Sequence, residues 1–224
     1  MDSTLCEEDT IITFIKHLLF YTDMSENKVL AFNTWDTENI EIEDPGLERY
    51  ISLDPVIVPK TGARYAGNRF HKSDVFIVER LINKVMVSGH KGDKHLITSG
   101  NQTGKAAKVY EIVEQALNIV EEKTNTNPIE ALVKGIENGA PREEIVTVEY
   151  GGARYPKAVE ASPQRRVDVT LRQMAQGAKQ DSFDTSKSIE EALADEIINA
   201  FRKRKQSQAV KRKLEIERQA DASR

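Results

Sequence analysis

Residues 160–177, EASPQRRVDVTLRQMAQG, open like a helix with the wrong charges on it. Ser162 suits an N-cap and Pro163 the first helical position. Arg165 and Arg166 then fall inside the first turn, where the helix dipole favours carboxylates and disfavours cations. Two arginines there cost stability unless something negative meets them. A phosphate at that helix start would be held by backbone N–H groups, the dipole and both guanidinium groups together.

Other cations are clustered in the same way. Lys60, Arg64, Arg69 and Lys72 lie in residues 60–72 without a carboxylate, and Tyr65, Phe70 and His71 are interleaved. Arg154 and Lys157 have Tyr150 and Tyr155 beside them. Arg202, Lys203, Arg204 and Lys205 are followed by Lys211, Arg212 and Lys213, again without an acid. Cations that take phosphates, with rings that take unstacked bases, form the pattern of RNA recognition. Any one cluster is equally a solvated helix face. Four in one chain point to a polyanionic partner.

Rival chemistries have weaker support. GNQTGKAAK, residues 100–108, is a partial phosphate-binding loop. Three residues separate Gly100 from Gly104 where the pattern needs four, and Lys105 is followed by Ala106, not by the Ser or Thr that holds magnesium. A nucleotide binder built on Gly100–Lys105 is the competing reading. SGHKGDKH places His90, Asp93 and His95 close together, but it lacks further ligands and helical spacing of the histidines. Its residues read as a solvated basic loop. Glu143 and Glu144 are adjacent and point apart, so no acid–base pair is visible. No catalytic constellation, metal site or cofactor is expected.

Composition bounds the class. The chain has 224 residues, 39% of them hydrophobic and 30% charged, with only 6% aromatic, which favours helices over a β-sandwich. Cys6 is the only cysteine, so an intramolecular disulfide is impossible. No apolar run approaches the length of a membrane span, and the run Ile11 to Tyr21 follows acids where a leader peptide needs cations. The net charge of −4 is unevenly spread: residues 1–44 hold eleven acids against Lys16 and Lys28, leaving +5 on residues 45–224. Distribution, not the total, decides what an anion meets.

The elements that must carry these clusters are mainly helical. From Ser73, the residues Val75, Phe76, Val78, Leu81, Ile82, Val85 and Met86 form one apolar face, stopped by Gly89. A second helix is expected from about Thr103 to Lys123. A third is capped by Asn127 and Pro128 and ends between Gly135 and Gly139. From Glu144 to Ala161 the apolar period shortens to two around Gly151-Gly152, which signals a β-hairpin with little to bury, an arm standing out from the helices. Ser162-Pro163 restarts helix, and Ser188 with Glu191 forms a capping box for another. The expected fold is mainly α, a helix bundle with one protruding β-hairpin arm. Residues 1–23 read as an acidic N-terminal extension, 24–72 as an irregular segment on the body, and 73–224 as the helical RNA-binding domain with its hairpin at about 144–161. A protein-interaction role for the acidic arm is compatible with this.

Several stretches in fixed order carry a resemblance: WDTENIEIEDPGLERYISLDP (35–55), FIVERLINKVMVSGHKGDKH (76–95), GAPREE (139–144), RYPKAVEASPQRRVDVTLRQM (154–174) and SIEEALADEIINA (188–200). From about Val29 to its C-terminus the chain resembles the universal small-subunit ribosomal protein seven family, in its archaeal and eukaryotic branch. That resemblance implies a helix bundle with one β-hairpin and a structural, non-enzymatic role in the small ribosomal subunit of the cytoplasm. It implies binding to the 3′ domain of small-subunit rRNA, organisation of head assembly, and a place near the exit-site tRNA and the mRNA path. Neighbouring small-subunit ribosomal proteins would be partners, and no membrane would be involved. The hairpin around Arg154, Tyr155 and Lys157, with Arg165 and Arg166, matches the family's RNA-facing segment. Lys72, Lys91 and Lys94 match a second basic surface, and a C-terminal helix with Lys203 to Lys205 and Lys211 to Lys213 is similar in character. The chain is more acidic than the family's pattern, and residues 1–23 match none of it.

Overall fold

In the computed structural model, residues 29–89 and 104–224 are described. Lys91, Lys94 and the His90, Asp93, His95 group lie outside them, as does all of the Gly100–Lys105 motif except its last two residues.

Caps set the helix limits. A single turn, α1 (Pro45–Glu48), begins where the Asp44 side chain accepts from Gly46 N. Helix α2 spans Ile77–Met86 and α3 spans Ala106–Thr124, ending at Asn125 in the left-handed region. Helix α4 (Pro128–Gly139) has proline in its first turn, and Asn127 Oδ1 accepts from Ile129 N at 3.0 Å. Strands β1 (Glu143–Tyr150) and β2 (Ala153–Glu160) pair antiparallel, with Tyr150 opposite Ala153. Gly151 and Gly152 both have positive φ, as a two-residue hairpin turn requires. Then come α5 (Pro163–Ser182), α6 (Ile189–Phe201) and α7 (Gln208–Asp221). Ser188 caps α6 by accepting from Glu191 N, and Ser207 caps α7 by accepting from Val210 N.

Helix α6 is the centre of the bundle, packed against α3, α4 and α5. Its Leu193 and Ile197 are fully buried, together with Leu117 of α3, Leu132 and Ile136 of α4 and Leu171 and Met174 of α5. Residues 29–54 contribute to the same core through Ala31, Trp35, Leu47 and Ile51. The close approach of α4 to α5 and α7 needs Gly139: a Cβ there would lie 2.8 Å from Thr170 Cγ2 and 3.1 Å from Ala209 Cβ.

The fold class is the expected one, a mainly α bundle with a single two-stranded hairpin among the described residues. The outer half of the hairpin is exposed, and its base rests on α7. Two boundaries differ from the sequence reading. Apolar periodicity started α2 at Ser73, but His71–Ser73 form a 3₁₀ turn and α2 begins at Ile77. Ile77 N donates to Ser52 O at 3.0 Å, and that parallel bridge holds Phe76 extended. The basic run 202–213 is not one helix. Residues 202–207 form a turn with Lys203 in the left-handed region, so Arg202 to Lys205 precede α7 and only Lys211 to Lys213 lie on it.

Candidate nucleic-acid interface

Residues 60–72 are fixed to the body through one buried carboxylate. Glu79 of α2 accepts from both Thr61 N (2.8 Å) and Thr61 Oγ1 (2.7 Å). That contact leaves Lys60 and Arg64 on the outside. Further along, Arg69 lies over the Phe70 ring at 5.9 Å, and Tyr65 meets His71 edge-on at 5.7 Å. Gln164, in the first turn of α5, donates to Arg69 O and Ser73 Oγ, both at 3.3 Å. The segment is thereby joined to the helix start whose arginines the sequence singled out.

Those two arginines have different fates. Arg165 Nε donates to Glu144 Oε2 at 2.7 Å, yet its side chain remains 58% exposed. Arg166 is only 8% exposed, and its Nη2 donates to Asp44 Oδ2 at 2.7 Å. Burial works to raise the Asp44 pKa, but the Arg166 hydrogen bond and the Gly46 N–H outweigh it and hold the carboxyl below its usual range. Arg166 is therefore turned inward as a cross-link between α5 and the 44–48 turn, and its position differs from the outward-facing pair expected. Ser162 occupies the N-cap position, but its side chain makes no capping hydrogen bond.

Lys72 also has an internal partner. It donates to Asp168 of α5, which Arg80 Nη2 reaches at 3.2 Å. Burial would raise the Asp168 pKa, but Lys72 and Arg80 hold it below the usual carboxylate range. Lys84 and Arg172 join this group, one turn beyond Arg80 and Asp168 on their helices. Burial lowers the Lys84 pKa; Asp168 opposes that shift, while Arg172, Lys72 and Arg80 reinforce it. Lys72 and Arg80 bond Asp168 directly, Lys84 interacts with its charge, and Arg172 lies close enough to act on Lys84. The sequence reading missed Arg80, Lys84 and Arg172; the signal available was their i, i+4 spacing from Arg80 to Lys84 and from Asp168 to Arg172.

On the hairpin, Arg154 pairs loosely with Glu149 across the strands (3.6 Å) and is largely exposed. Alternation places Val146, Val148, Tyr150, Tyr155 and Lys157 on one face. Tyr150 is 82% exposed and Tyr155 58%. Arg202, Lys203, Arg204 and Lys205 are all exposed in their turn. On α7, Lys211 and Arg212 are exposed, Arg212 pairing with Glu215. Lys213 instead donates to Asn138 O at the end of α4 (3.1 Å), and burial lowers its pKa.

The structure thus brings residues 60–72, the start of α5 and the hairpin base together, the last through Arg165–Glu144. It turns Arg166 inward and ties Lys213 to α4. Among the described residues no group of His, Cys, Asp and Glu could hold a metal ion, and no helix is long and apolar enough to cross a membrane.

The chain matches the family model described as Ribosomal protein S7p/S5e over residues 47–224. The small ribosomal subunit protein uS7 of Nanoarchaeum equitans is 51% identical over 197 residues, covering 88% of this chain and 100% of the relative. The corresponding protein of Archaeoglobus fulgidus is 46% identical over 200 residues, 89% of this chain and 97% of the relative. A helix bundle with one hairpin, cations on the hairpin and the adjoining helix start, and these relatives together place the chain in the Ribosomal protein S7p/S5e family.

Proposed function

We propose that the chain is a structural constituent of the small ribosomal subunit that binds the 3′ domain of its rRNA and organises the head, beside neighbouring ribosomal proteins. It lies near the exit-site tRNA and the mRNA path. The reading rests above all on one continuous feature: the 60–72 segment, the start of α5 and the exposed hairpin joined through Gln164 and Arg165. Phosphates meet Lys60, Arg64, Arg69, Lys84, Arg165 and Arg172, while Tyr150 and Tyr155 offer faces to unpaired bases. Lys91 and Lys94 belong to the same proposal by sequence, and Arg202 to Lys205 with Lys211 and Arg212 extend it. The role is binding and organisation, without catalysis.

The test is a salt series with a head-domain rRNA fragment against an unrelated RNA of equal length. Preferential binding that weakens steeply with salt is the expected result, because each neutralised phosphate releases counterions. Equal, weak binding to both RNAs would reject the proposal.

A further inference from the structure

Where the 60–72 segment ends, a groove of about 660 Å³ opens between residues 40–54 and the 73–74 turn. Ile40, Ile42 and Leu53, half-buried against the core, form the smaller, apolar part of its lining. Its edge carries Glu41, Glu48, Asp54 and Asp74, all exposed, and Arg49 is the single cation in the lining. None of those four carboxylates makes an ion pair within the described chain. Asp44, next to Pro45 of the lining, behaves differently: it is satisfied by Arg166.

We infer that this groove seats a lysine- and arginine-rich segment of a neighbouring protein, with apolar side chains on the isoleucine and leucine part of the lining and cations against the four carboxylates. The kind of neighbour rests on the ribosomal reading; the charge argument does not. Phosphates are repelled from an edge of unpaired carboxylates, so RNA is disfavoured here while it is favoured on the hairpin side. A cationic segment gains from the same field and loses no existing ion pair in binding. Most of the groove's exposed surface is polar, so charge carries more of the binding than apolar contact does.

The probe is a fluorescein-labelled synthetic 14-residue peptide of alternating lysine and leucine, titrated into the purified full chain by anisotropy across a salt series. The triple variant E41Q/E48Q/D54Q is expected to bind it about tenfold more weakly and with a shallower salt dependence. Single variants E48Q and D54Q should each lose about two- to threefold. All three side chains are exposed, so the unfolding midpoint should not move. Equal peptide affinity in wild type and triple variant would overturn the inference. The triple variant should keep wild-type affinity for the head-domain rRNA fragment; a loss there would make the groove an RNA contact and would also overturn it. Failure of the wild-type chain to prefer that fragment would reject the rRNA proposal alone, and the peptide titrations would still decide the groove.

Discussion

Arg166 Nη2 and Asp44 Oδ2 lie 2.7 Å apart although 122 residues separate them in the chain. Next to this partly buried pair, Arg165 extends outward from the same helical turn. The two arginines at an unfavourable dipole position are thus compensated by different anions. One is met inside the fold by Asp44. The other is shared between Glu144 and whatever approaches from outside.

That division predicts opposite phenotypes for neighbouring substitutions. Arg166→Ala should destabilise the chain by about 2 to 3 kcal/mol in urea unfolding. This is below the full cost of a broken buried pair, because Asp44 retains some access to water. Arg165→Ala should change stability by less than about 0.5 kcal/mol. It should instead weaken rRNA binding and reduce its salt slope by about one phosphate contact. An unchanged salt slope for Arg165→Ala would remove this arginine from the interface.

Lys84 and Arg172 should contribute as much as the cations visible in the sequence. Each alanine variant is expected to reduce affinity for the head-domain fragment several-fold, with a salt slope lower by about one. Wild-type RNA affinity in both variants would restrict the group around Asp168 to holding α2 against α5.

Tyr150 and Tyr155 bury little in the protein, so Tyr150→Ala and Tyr155→Ala should leave the unfolding midpoint in place. Stacking on a base would make each substitution cost about 1 to 3 kcal/mol in rRNA binding. Full affinity in the double variant would limit the hairpin's contribution to its cations.

Glu196 makes stability depend on pH. Burial pushes its pKa up to about 7, against the Ser207 hydroxyl and the α7 backbone N–H groups that favour the charged form; the nearby Asp181 adds to the rise. The folded value lies above the unfolded one, so this contribution is complete below about pH 4.5 and is lost as pH rises through 7. The shift corresponds to roughly 3 kcal/mol. Urea unfolding of wild type should show that fall across the window, and Glu196→Gln should remove it. Identical slopes in both proteins would place the pH dependence elsewhere.

Packing makes a sharper prediction at glycines. Gly139→Ala inserts a methyl against Thr170 and Ala209, neither of which has a flexible end to move aside, and should cost about 1 to 3 kcal/mol. Gly67→Ala meets nothing within 4 Å and should be nearly neutral in the same unfolding assay. Equal effects would mean that α4 can shift away from α5 and α7.

Local order determined the elements. Apolar residues at helical spacing marked α2, α3 and α6, the Asn127–Pro128 cap marked α4, and the change to a period of two around Gly151-Gly152 marked the hairpin, because side-chain periodicity, caps and turn stereochemistry are properties of neighbours along the chain. Charge clusters were equally legible as composition. Tertiary structure decided which of those charges remain available. Asp44 and Asp168 reach Arg166 and Lys72 across 122 and 96 residues, and no periodic pattern records such a pairing. The start of α2 was likewise set by Ser52, a residue from outside the helix. Ion pairs and bridges of this kind depend on which surfaces the packed helices bring together, so the packing around α6 decides them and the local sequence does not.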